Sequence, residues 1–344
     1  MLATIAIVQT ILWRHYWDLL NCLHGKQRQH SYSTHNSSTY PYMPWKHWSS
    51  ERLGITLAIL AALGFSFKAI FVKLAYAVPQ AVPVDAVTLL ALRMCFALPV
   101  FAWVGFQSSR GAAPLTRRDW LGLTALGLLG YYGASILDFI GLRYITAGLE
   151  RLILFTYPTL TILIGVLCMG KTASRREIGA LALTYAGIGL AFAHDLHLAA
   201  ETTTVLLGVA FVLGSSVSYA FYQAGSEPVI RRIGAARFTA LAMLVSTLAT
   251  LLHFFVTQPT SALIQPLPVY VYGAAMALFS TVLPVFMNSA AIRRIGSAQS
   301  VLIGTLGPVL TIFFGWWLLD EPLSLAQMAG AALVLAGVLL VSRR

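Results

Sequence analysis

The chain is poor in charged residues and in cysteine. Only 10% of its 344 residues are charged and 58% are hydrophobic, whereas about a quarter of the residues of a soluble domain carry a charge. This shortage excludes an ordinary water-soluble domain and indicates a protein that lies in the lipid bilayer. The three cysteines, Cys22, Cys95 and Cys168, are too few and too scattered for a disulfide framework or a metal cluster.

The motifs of membrane-embedded catalysis are missing too. The sequence has no H-E-x-x-H motif, no Asp-rich pair for diphosphate and metal chemistry, and no G-x-x-x-x-G-K-[ST] phosphate loop. Its twelve carboxylates lie mostly in loops. His194 and His197 have the spacing of metal ligands, but no further ligand is nearby, so we interpret them as loop histidines. We therefore predict no enzymatic activity, no cofactor and no metal.

The net charge of +11 raises the question of nucleic acid as a partner. A nucleic-acid-binding protein concentrates its Lys and Arg on one face. Here the basic residues stand in short groups between apolar segments, which is typical of loop charges that set the topology of a membrane protein. We predict no nucleic-acid partner.

Ten apolar segments of about 20 residues follow Leu53, the length that a helix needs to cross about 30 Å of hydrocarbon. The sequence therefore predicts an all-α, polytopic membrane protein with ten transmembrane helices. The lipid bilayer is a predicted partner of this chain. The segments cover residues 53–75, 86–106, 120–141, 148–169, 177–194, 204–225, 237–257, 269–291, 298–319 and 324–342.

Residues 1–52 have a different composition and are predicted to be a poorly ordered or interfacial tail. Residues 1–13 are apolar but too short to span, and their charged neighbours follow them, which is the wrong order for a secretory signal. The stretch from Gln27 to Ser50 is rich in His, Ser, Tyr and Pro. Met43 precedes the first apolar segment and is a candidate native start, so whether residues 1–42 belong to the protein stays open.

An internal repeat becomes visible when the chain is shifted by 150 residues. Residues 143–190 then align with residues 293–340 without gaps, and 15 of the 48 positions are identical. Pro158 aligns with Pro308, and Leu160-Thr161-Ile162 with Leu310-Thr311-Ile312. Because biased composition alone would give about a tenth, we predict two five-helix repeats, residues 53–196 and 203–342.

Five is an odd number, so two tandem copies must enter the membrane from opposite sides. With the N-terminus in the cytoplasm, nearly all loop arginines and lysines lie on the cytoplasmic side, as the positive-inside rule requires. Lys171, Arg175 and Arg176 then face the cytoplasm, whereas their counterparts 150 residues later carry no positive charge and face outward. We predict inverted repeats with both termini cytoplasmic, an arrangement that suits alternating access in a transporter.

Two stretches resemble the EamA-like domain of the drug/metabolite transporter superfamily. They are Gly141-Leu-Arg-Tyr-Ile-Thr-Ala-Gly-Leu-Glu-Arg-Leu-Ile-Leu-Phe-Thr-Tyr-Pro158 and Leu318-Leu-Asp-Glu-Pro-Leu-Ser-Leu-Ala-Gln-Met-Ala-Gly330. The resemblance covers residues 54–342 and implies a ten-helix secondary carrier of amino acids or related metabolites, often an exporter. The sequence departs from the family at Lys171, where an acidic residue is usual, and we expect this change to affect topology.

Charged side chains within apolar segments are the strongest functional signal, since each costs about 2.5–3.5 kcal/mol at mid-bilayer even on the lenient scale. Lys68, Arg93, Asp138, Glu150 and Arg151 are such residues and are expected to face the interior of the bundle. Neutral polar residues at helical spacing accompany them. The predicted substrate-binding residues are Lys68, Tyr131, Ser135, Tyr157, Ser216, Tyr219, Gln223 and Asn288.

Lys68 has two interpretations. An ammonium on the first helix suits a carboxylate-bearing or otherwise anionic substrate, and the cation-exporting relatives of the superfamily carry a Glu in that helix. Alternatively, Lys68 forms a structural ion pair with Asp138 or Glu150 or extends to the interface. Lys73 is expected to reach the outer interface.

Arg93, Asp138 and Glu150 are predicted as a coupling group or an intramembrane ion pair. The two carboxyls could carry a proton as coupling ion, or they could hold helices together. Pro158, Pro308 and Pro284 interrupt their helices and are either gating hinges or packing kinks.

The predicted function is a secondary active transporter of a small-molecule metabolite, with export the favoured direction. A channel is disfavoured because no filter sequence or ring of like charge repeats. A membrane-embedded enzyme and a sensor that binds without translocation are the competing functions. Compact loops favour a bacterial inner membrane, while the substrate, the coupling ion and the oligomeric state stay open.

Overall fold

A computed structural model describes residues 50–80, 83–169, 174–198 and 202–342. These residues form helices and no strand, which confirms the predicted all-α class. The α-helices are α1 Ser50–Tyr76, α2 Ala86–Ser109, α3 Arg117–Gly127, α4 Ala134–Gly141, α5 Ala147–Leu154, α6 Tyr157–Met169, α7 Arg175–Leu198, α8 Thr202–Ile233, α9 Ala235–Thr257, α10 Leu267–Ala277, α11 Leu283–Gly304, α12 Leu306–Leu319 and α13 Leu325–Ser342. The predicted tail, apart from residues 50–52, and the side chains of His194 and His197 lie outside the described residues.

Seven helical stretches of the described chain are long and apolar enough to cross a membrane. They are Ser50–Tyr76, Ala86–Ser109, Arg117–Gly141, Ala147–Leu167, Thr202–Ser226, Ala235–Thr257 and Leu267–Ile292. Three further apolar helices, Ile178–Ala193, Leu306–Leu319 and Leu325–Leu340, are shorter. These helices make the chain an integral multi-pass membrane protein. A helix can cross lipid because it satisfies its backbone hydrogen bonds within one segment.

Polar side chains at the helix starts fix where several of these helices begin. The Asp85 carboxylate accepts hydrogen bonds from the backbone N–H of Val87 at 2.8 Å and of Thr88 at 3.0 Å, at the start of α2. Thr116 and Asp119 form a capping box at the start of α3. Such caps satisfy amides that the helix itself leaves without acceptors.

Two departures from regular helix recur at a spacing of 150 residues. A π-helical turn, Leu128–Gly133, joins α3 to α4, and a second, Leu278–Val282, joins α10 to α11. Helix α5 ends at Leu154 and α6 begins at Tyr157, while α11 ends at Gly304 and α12 begins at Leu306. Such irregularities are rare inside helices and frequently mark functional sites.

Helices α7 and α13 pack closely and run antiparallel. A Cβ atom placed on Gly187 would lie 2.5 Å from the carbonyl oxygen of Gly330, and one on Gly330 would lie 2.5 Å from that of Gly187. Further along the same pair, a Cβ on Gly337 would meet the Thr184 hydroxyl and would lie 2.8 Å from the Ala180 carbonyl oxygen. Small residues thus let two backbones approach, as is typical of helix pairs in membranes.

Enlarging Gly187 should separate these helices. We expect Gly187→Val to lower the melting temperature of the detergent-purified protein, because an overpacked contact typically costs about 1–3 kcal/mol. Gly189→Val is the matched control on the same helix, since a Cβ atom there would meet nothing within 4 Å. Equal melting temperatures for the two variants would contradict the described packing.

Candidate functional site

An ion cluster joins three helices in the interior of the bundle. The Lys68 ammonium on α1 lies 2.7 Å from Oδ2 of Asp138 on α4 and 3.0 Å from Oε1 of Glu150 on α5. The side chains of Asp138 and Glu150 are 2% and 0% exposed, and that of Lys68 is 17% exposed. Of the two interpretations of Lys68, the ion pair is the one that these distances match.

Arg93 extends this cluster onto α2. Its guanidinium donates a hydrogen bond of 2.9 Å to the Ser135 hydroxyl and stacks over the ring of Phe139, at 5.0 Å from the ring centroid. Arg93 is buried and lies within electrostatic reach of Asp138. The predicted residues Arg93, Ser135 and Asp138 therefore meet in one place.

Arg151 neighbours the cluster, although it was not among the predicted binding or coupling residues. Its guanidinium stacks over Phe155, at 5.3 Å from the ring centroid, and lies within electrostatic reach of Glu150. Among the described residues it has no ion pair and no side-chain hydrogen bond. Its position as a charged residue within an apolar segment was the available signal.

Four tyrosines pack together, and two of them, Tyr157 and Tyr219, lie within electrostatic reach of Arg151. The hydroxyls of Tyr131 and Tyr222 are 2.9 Å apart, the rings of Tyr157 and Tyr219 meet edge to face at 4.9 Å, and Tyr219 stacks on Tyr222 at 5.3 Å. Tyr131, Tyr157 and Tyr219 were predicted; Tyr222 was missed, although it stands three residues after Tyr219 on the same helical face. We call Tyr131, Tyr157, Tyr219 and Tyr222 the tyrosine cluster.

Arg151 and three members of the tyrosine cluster are partly exposed. Tyr131, Tyr157 and Tyr219 each retain accessible surface, and so does Arg151. Their hydroxyls and the guanidinium are polar groups of the kind that fix the orientation of a small ligand.

The other polar residues predicted on α8 differ in their surroundings. The buried Ser216 donates to the carbonyl of Leu154 at 3.0 Å and lies 2.8 Å from the Thr156 hydroxyl, so it supports the interruption between α5 and α6. Gln223 is partly exposed, and its side chain makes no hydrogen bond within the described part of the chain. It lies one turn beyond Tyr219.

The second half carries a neutral counterpart of the ion cluster. A shift of 150 residues turns Lys68, Asp138 and Glu150 into Ser218, Asn288 and Ser300. The Ser300 hydroxyl donates to Oδ1 of the predicted Asn288 at 2.9 Å. Asp138 and Glu150 of the first half thus have uncharged counterparts, Asn288 and Ser300, which bond to each other in the second half.

The three predicted prolines follow helix irregularities. Pro158 is the second residue of α6 and Pro308 the third of α12, each directly after an interruption. Pro284 is the second residue of α11 and follows a π-helical turn. A Cβ atom on Gly64 would lie 2.5 Å from the Pro284 ring, so α1 packs tightly at this point.

Glu321, the acidic residue after the ninth apolar segment, links the start of α5 to the end of α1. Its carboxylate accepts a hydrogen bond of 2.9 Å from the backbone N–H of Ala147, the first residue of α5. It also lies 3.6 Å from the Lys73 ammonium. Lys73, near the end of α1, thus makes an ion pair with Glu321; its position at the outer interface stays a prediction. Lys171, the counterpart of Glu321, is outside the described residues.

Comparisons with known proteins agree with this architecture. A family model described as "EamA-like transporter family" matches residues 52–193 and again residues 206–343. A solved crystal structure aligns with a TM-score of 0.59 at 17% identity and covers 86% of this chain and 99% of the other. At that identity, the likeness shows the fold alone.

Curated relatives cover most of the chain. The "Uncharacterized transporter YcbK" of Bacillus subtilis is 30% identical over 288 residues, which are 80% of this chain and 88% of that protein. The "Uncharacterized transporter sll1319" of Synechocystis is 23% identical over 310 residues, 84% of this chain and 93% of the relative. A "Probable terminal-alkyne amino-acid exporter" of Streptantibioticus cattleyicolor is 24% identical, over 66% of this chain and 74% of the relative. The matches of the family model to both halves establish that this chain belongs to the EamA-like transporter family.

Proposed function

We propose that this protein is a secondary active carrier that moves a small carboxylate-bearing metabolite, of the amino-acid class, across a bacterial inner membrane by alternating access. Export is the proposed direction and a proton the proposed coupling ion. The observation that carries the proposal is the ion cluster of Lys68, Asp138 and Glu150, which lies near the partly exposed Arg151. Charge of this kind is costly in a membrane bundle and typically marks a transport pathway.

The proposed architecture is ten spanning helices in two inverted halves. Support comes from the contacts between α7 and α13, where Gly187 meets Gly330 and Ala180 meets Gly337. Adding 150 to Ala180 and Gly187 gives Gly330 and Gly337, so each of these residues has its counterpart in the same helix pair. Swapping residues that are 150 positions apart therefore turns one contact into the other. Two antiparallel spanning helices are related in this way by a two-fold axis that lies in the membrane plane.

Contacts of α1 and α8 follow the same exchange. The Ser66 hydroxyl on α1 donates to the carbonyl of Gly307 in the second half. Its counterpart, Ser216 on α8, donates to the carbonyl of Leu154 in the first half. Each half therefore braces the interruption of the other half, an arrangement that allows the two interruptions to change conformation in opposite senses.

The ion cluster is the proposed coupling site. Lys68 lies on α1, whereas Asp138 and Glu150 lie on α4 and α5, so a rearrangement of these helices would part the ammonium from a carboxylate. A carboxylate deprived of its partner in a low-dielectric interior is stabilised by binding a proton. Proton binding would thereby be linked to the conformation of the carrier.

Coupling by this scheme is confined to one half. Ser218, Asn288 and Ser300 replace the ionisable residues in the second half. Their side chains do not ionise near neutral pH and so cannot carry a coupling proton. The relative named as an amino-acid exporter supports the proposed substrate class and direction.

The inverted topology predicts opposite labelling of two equivalent loops. Ala112 lies between α2 and α3, and Ala262, 150 residues later, lies between α9 and α10. In a chain without native cysteines, we expect Ala262→Cys to react with a membrane-impermeant maleimide in intact cells, and Ala112→Cys to react only after permeabilisation. Labelling of both from the outside would contradict inversion.

Neutral residues copied from the second half should separate stability from transport. Lys68→Ala leaves two buried carboxylates without their ammonium, and we expect a destabilisation of about 3–5 kcal/mol, measured as a fall in melting temperature. The triple variant Lys68→Ser, Asp138→Asn, Glu150→Ser should recover most of that stability and lose substrate accumulation driven by the gradient. Full accumulation by the triple variant would remove the coupling role.

Neutralising the carboxylates should uncouple exchange from the proton gradient. In proteoliposomes, we expect Asp138→Asn and Glu150→Gln to abolish accumulation driven by an imposed pH gradient while counterflow of labelled leucine continues. Counterflow is expected to survive because exchange needs no net proton movement. Wild-type accumulation that ignores the pH gradient would refute a proton as the coupling ion.

A further inference from the structure

The geometry points to Arg151, and not Lys68, as the group that binds the substrate carboxylate. We propose that the guanidinium of Arg151 pairs with this carboxylate and that Tyr157 and Tyr219 of the tyrosine cluster hold the apolar body of the same molecule. The inference rests on the proposed function and names the binding group within that site.

Lys68 is already engaged. Two carboxylates lie within 3.0 Å of its ammonium, so an incoming anion would have to displace one of them and leave it buried without a partner, at high cost. Arg151 lies within electrostatic reach of Glu150 but makes no ion pair among the described residues, and its guanidinium stacks on the uncharged ring of Phe155.

The ion cluster and its neighbours carry one more positive than negative charge, and Arg151 is the cation with neither an ion pair nor a side-chain hydrogen bond among the described residues. Lys68, Arg93 and Arg151 are three cations, and they surround two carboxylates, Asp138 and Glu150. Lys68 contacts both carboxylates and Arg93 is buried near Asp138. An additional cation enclosed by a membrane bundle calls for an anion, and a guanidinium can bind a carboxylate through two parallel hydrogen bonds.

The second half approaches Arg151 with bare backbone. Gly307, the second residue of α12, packs against it: a Cβ atom there would lie 3.0 Å from a terminal nitrogen of the guanidinium. The counterpart of Gly307 in the first half is Tyr157, a residue with a bulky ring. The lack of a side chain at Gly307 thus allows the guanidinium to lie close to α12.

Tyr157 and Tyr219 supply complementary contacts. Both lie within electrostatic reach of Arg151, both are partly accessible, and neither hydroxyl has a hydrogen-bond partner in the described part of the chain. Their rings offer an apolar surface, while the hydroxyls can donate to a carboxylate. This combination fits a carboxylate attached to an aliphatic or aromatic body, and it does not fit a simple amine.

Binding to the purified full-length protein tests the proposal. The probes are L-leucine, L-phenylalanine and 3-phenylpropionate, with leucinamide and phenylalaninamide as matched compounds that lack the carboxylate. We expect at least one carboxylate to raise the melting temperature saturably in the wild type, and the matching amide to have no effect. Arg151→Gln should weaken the apparent affinity by about tenfold or more, because a charged hydrogen-bonding group is lost.

Two further variants guard against misfolding. Arg151→Lys keeps the charge but loses the planar fork, and an intermediate affinity is expected. Tyr219→Phe keeps the ring and loses one hydroxyl, and a smaller loss is expected. The control is Arg110→Gln, since the exposed Arg110 also stacks on a ring, that of Phe106, but lies in a loop; wild-type affinity is expected there.

The outcomes are distinct. Wild-type protein that binds no carboxylate, amides that bind as well as acids, or Arg151→Gln and Arg151→Lys with unchanged affinity would each overturn the proposal. Counterflow of labelled leucine separates it from the proposed function: saturable binding without counterflow contradicts a carrier and leaves the Arg151 site standing. Counterflow that is insensitive to Arg151→Gln contradicts the site and leaves the carrier standing.

Discussion

The free-energy cost of placing an ionised side chain in hydrocarbon governs the interior of this molecule. An isolated charge at that depth is expensive, and the chain meets the cost by bringing Lys68 within 3.0 Å of two carboxylates from different helices. The same cost makes the arrangement sensitive to movement. A shift of α1 relative to α5 would separate Lys68 from Glu150 and leave that buried carboxylate without its cation. In the proposed mechanism, stability and coupling therefore depend on the same contacts.

The proposed movement has a place to occur where the helices are interrupted. The interruptions between α5 and α6 and between α11 and α12 release backbone groups, and hydroxyls from the opposite half, on Ser66 and Ser216, bond to carbonyls beside them. Elsewhere the packing is tight, as between Gly187 and Gly330. Close contacts between α7 and α13 and braced interruptions fit the alternating access that we propose.

The two halves have kept their backbone irregularities and changed their chemistry. The π-helical turns at 128–133 and 278–282 recur at the same spacing, whereas Asp138 and Glu150 are replaced by Asn288 and Ser300. The neutral pair still bonds across the equivalent segments. A contact can thus be kept in place while its ability to ionise is confined to one half.

The sequence by itself determined the helical class, the membrane environment, the two copies and the inward-facing charges, because hydrophobic length and the cost of intramembrane charge act locally along the chain. It named Tyr131, Tyr157 and Tyr219 from helical spacing, but it left open whether Lys68 would meet a substrate or a carboxylate. Only the tertiary structure revealed the two carboxylates beside Lys68, since residues 68, 138 and 150 lie on three helices and their distances depend on how those helices pack. Packing also distinguished Lys68, which contacts two carboxylates, from Arg151, which makes no ion pair within the part of the chain that the structure describes.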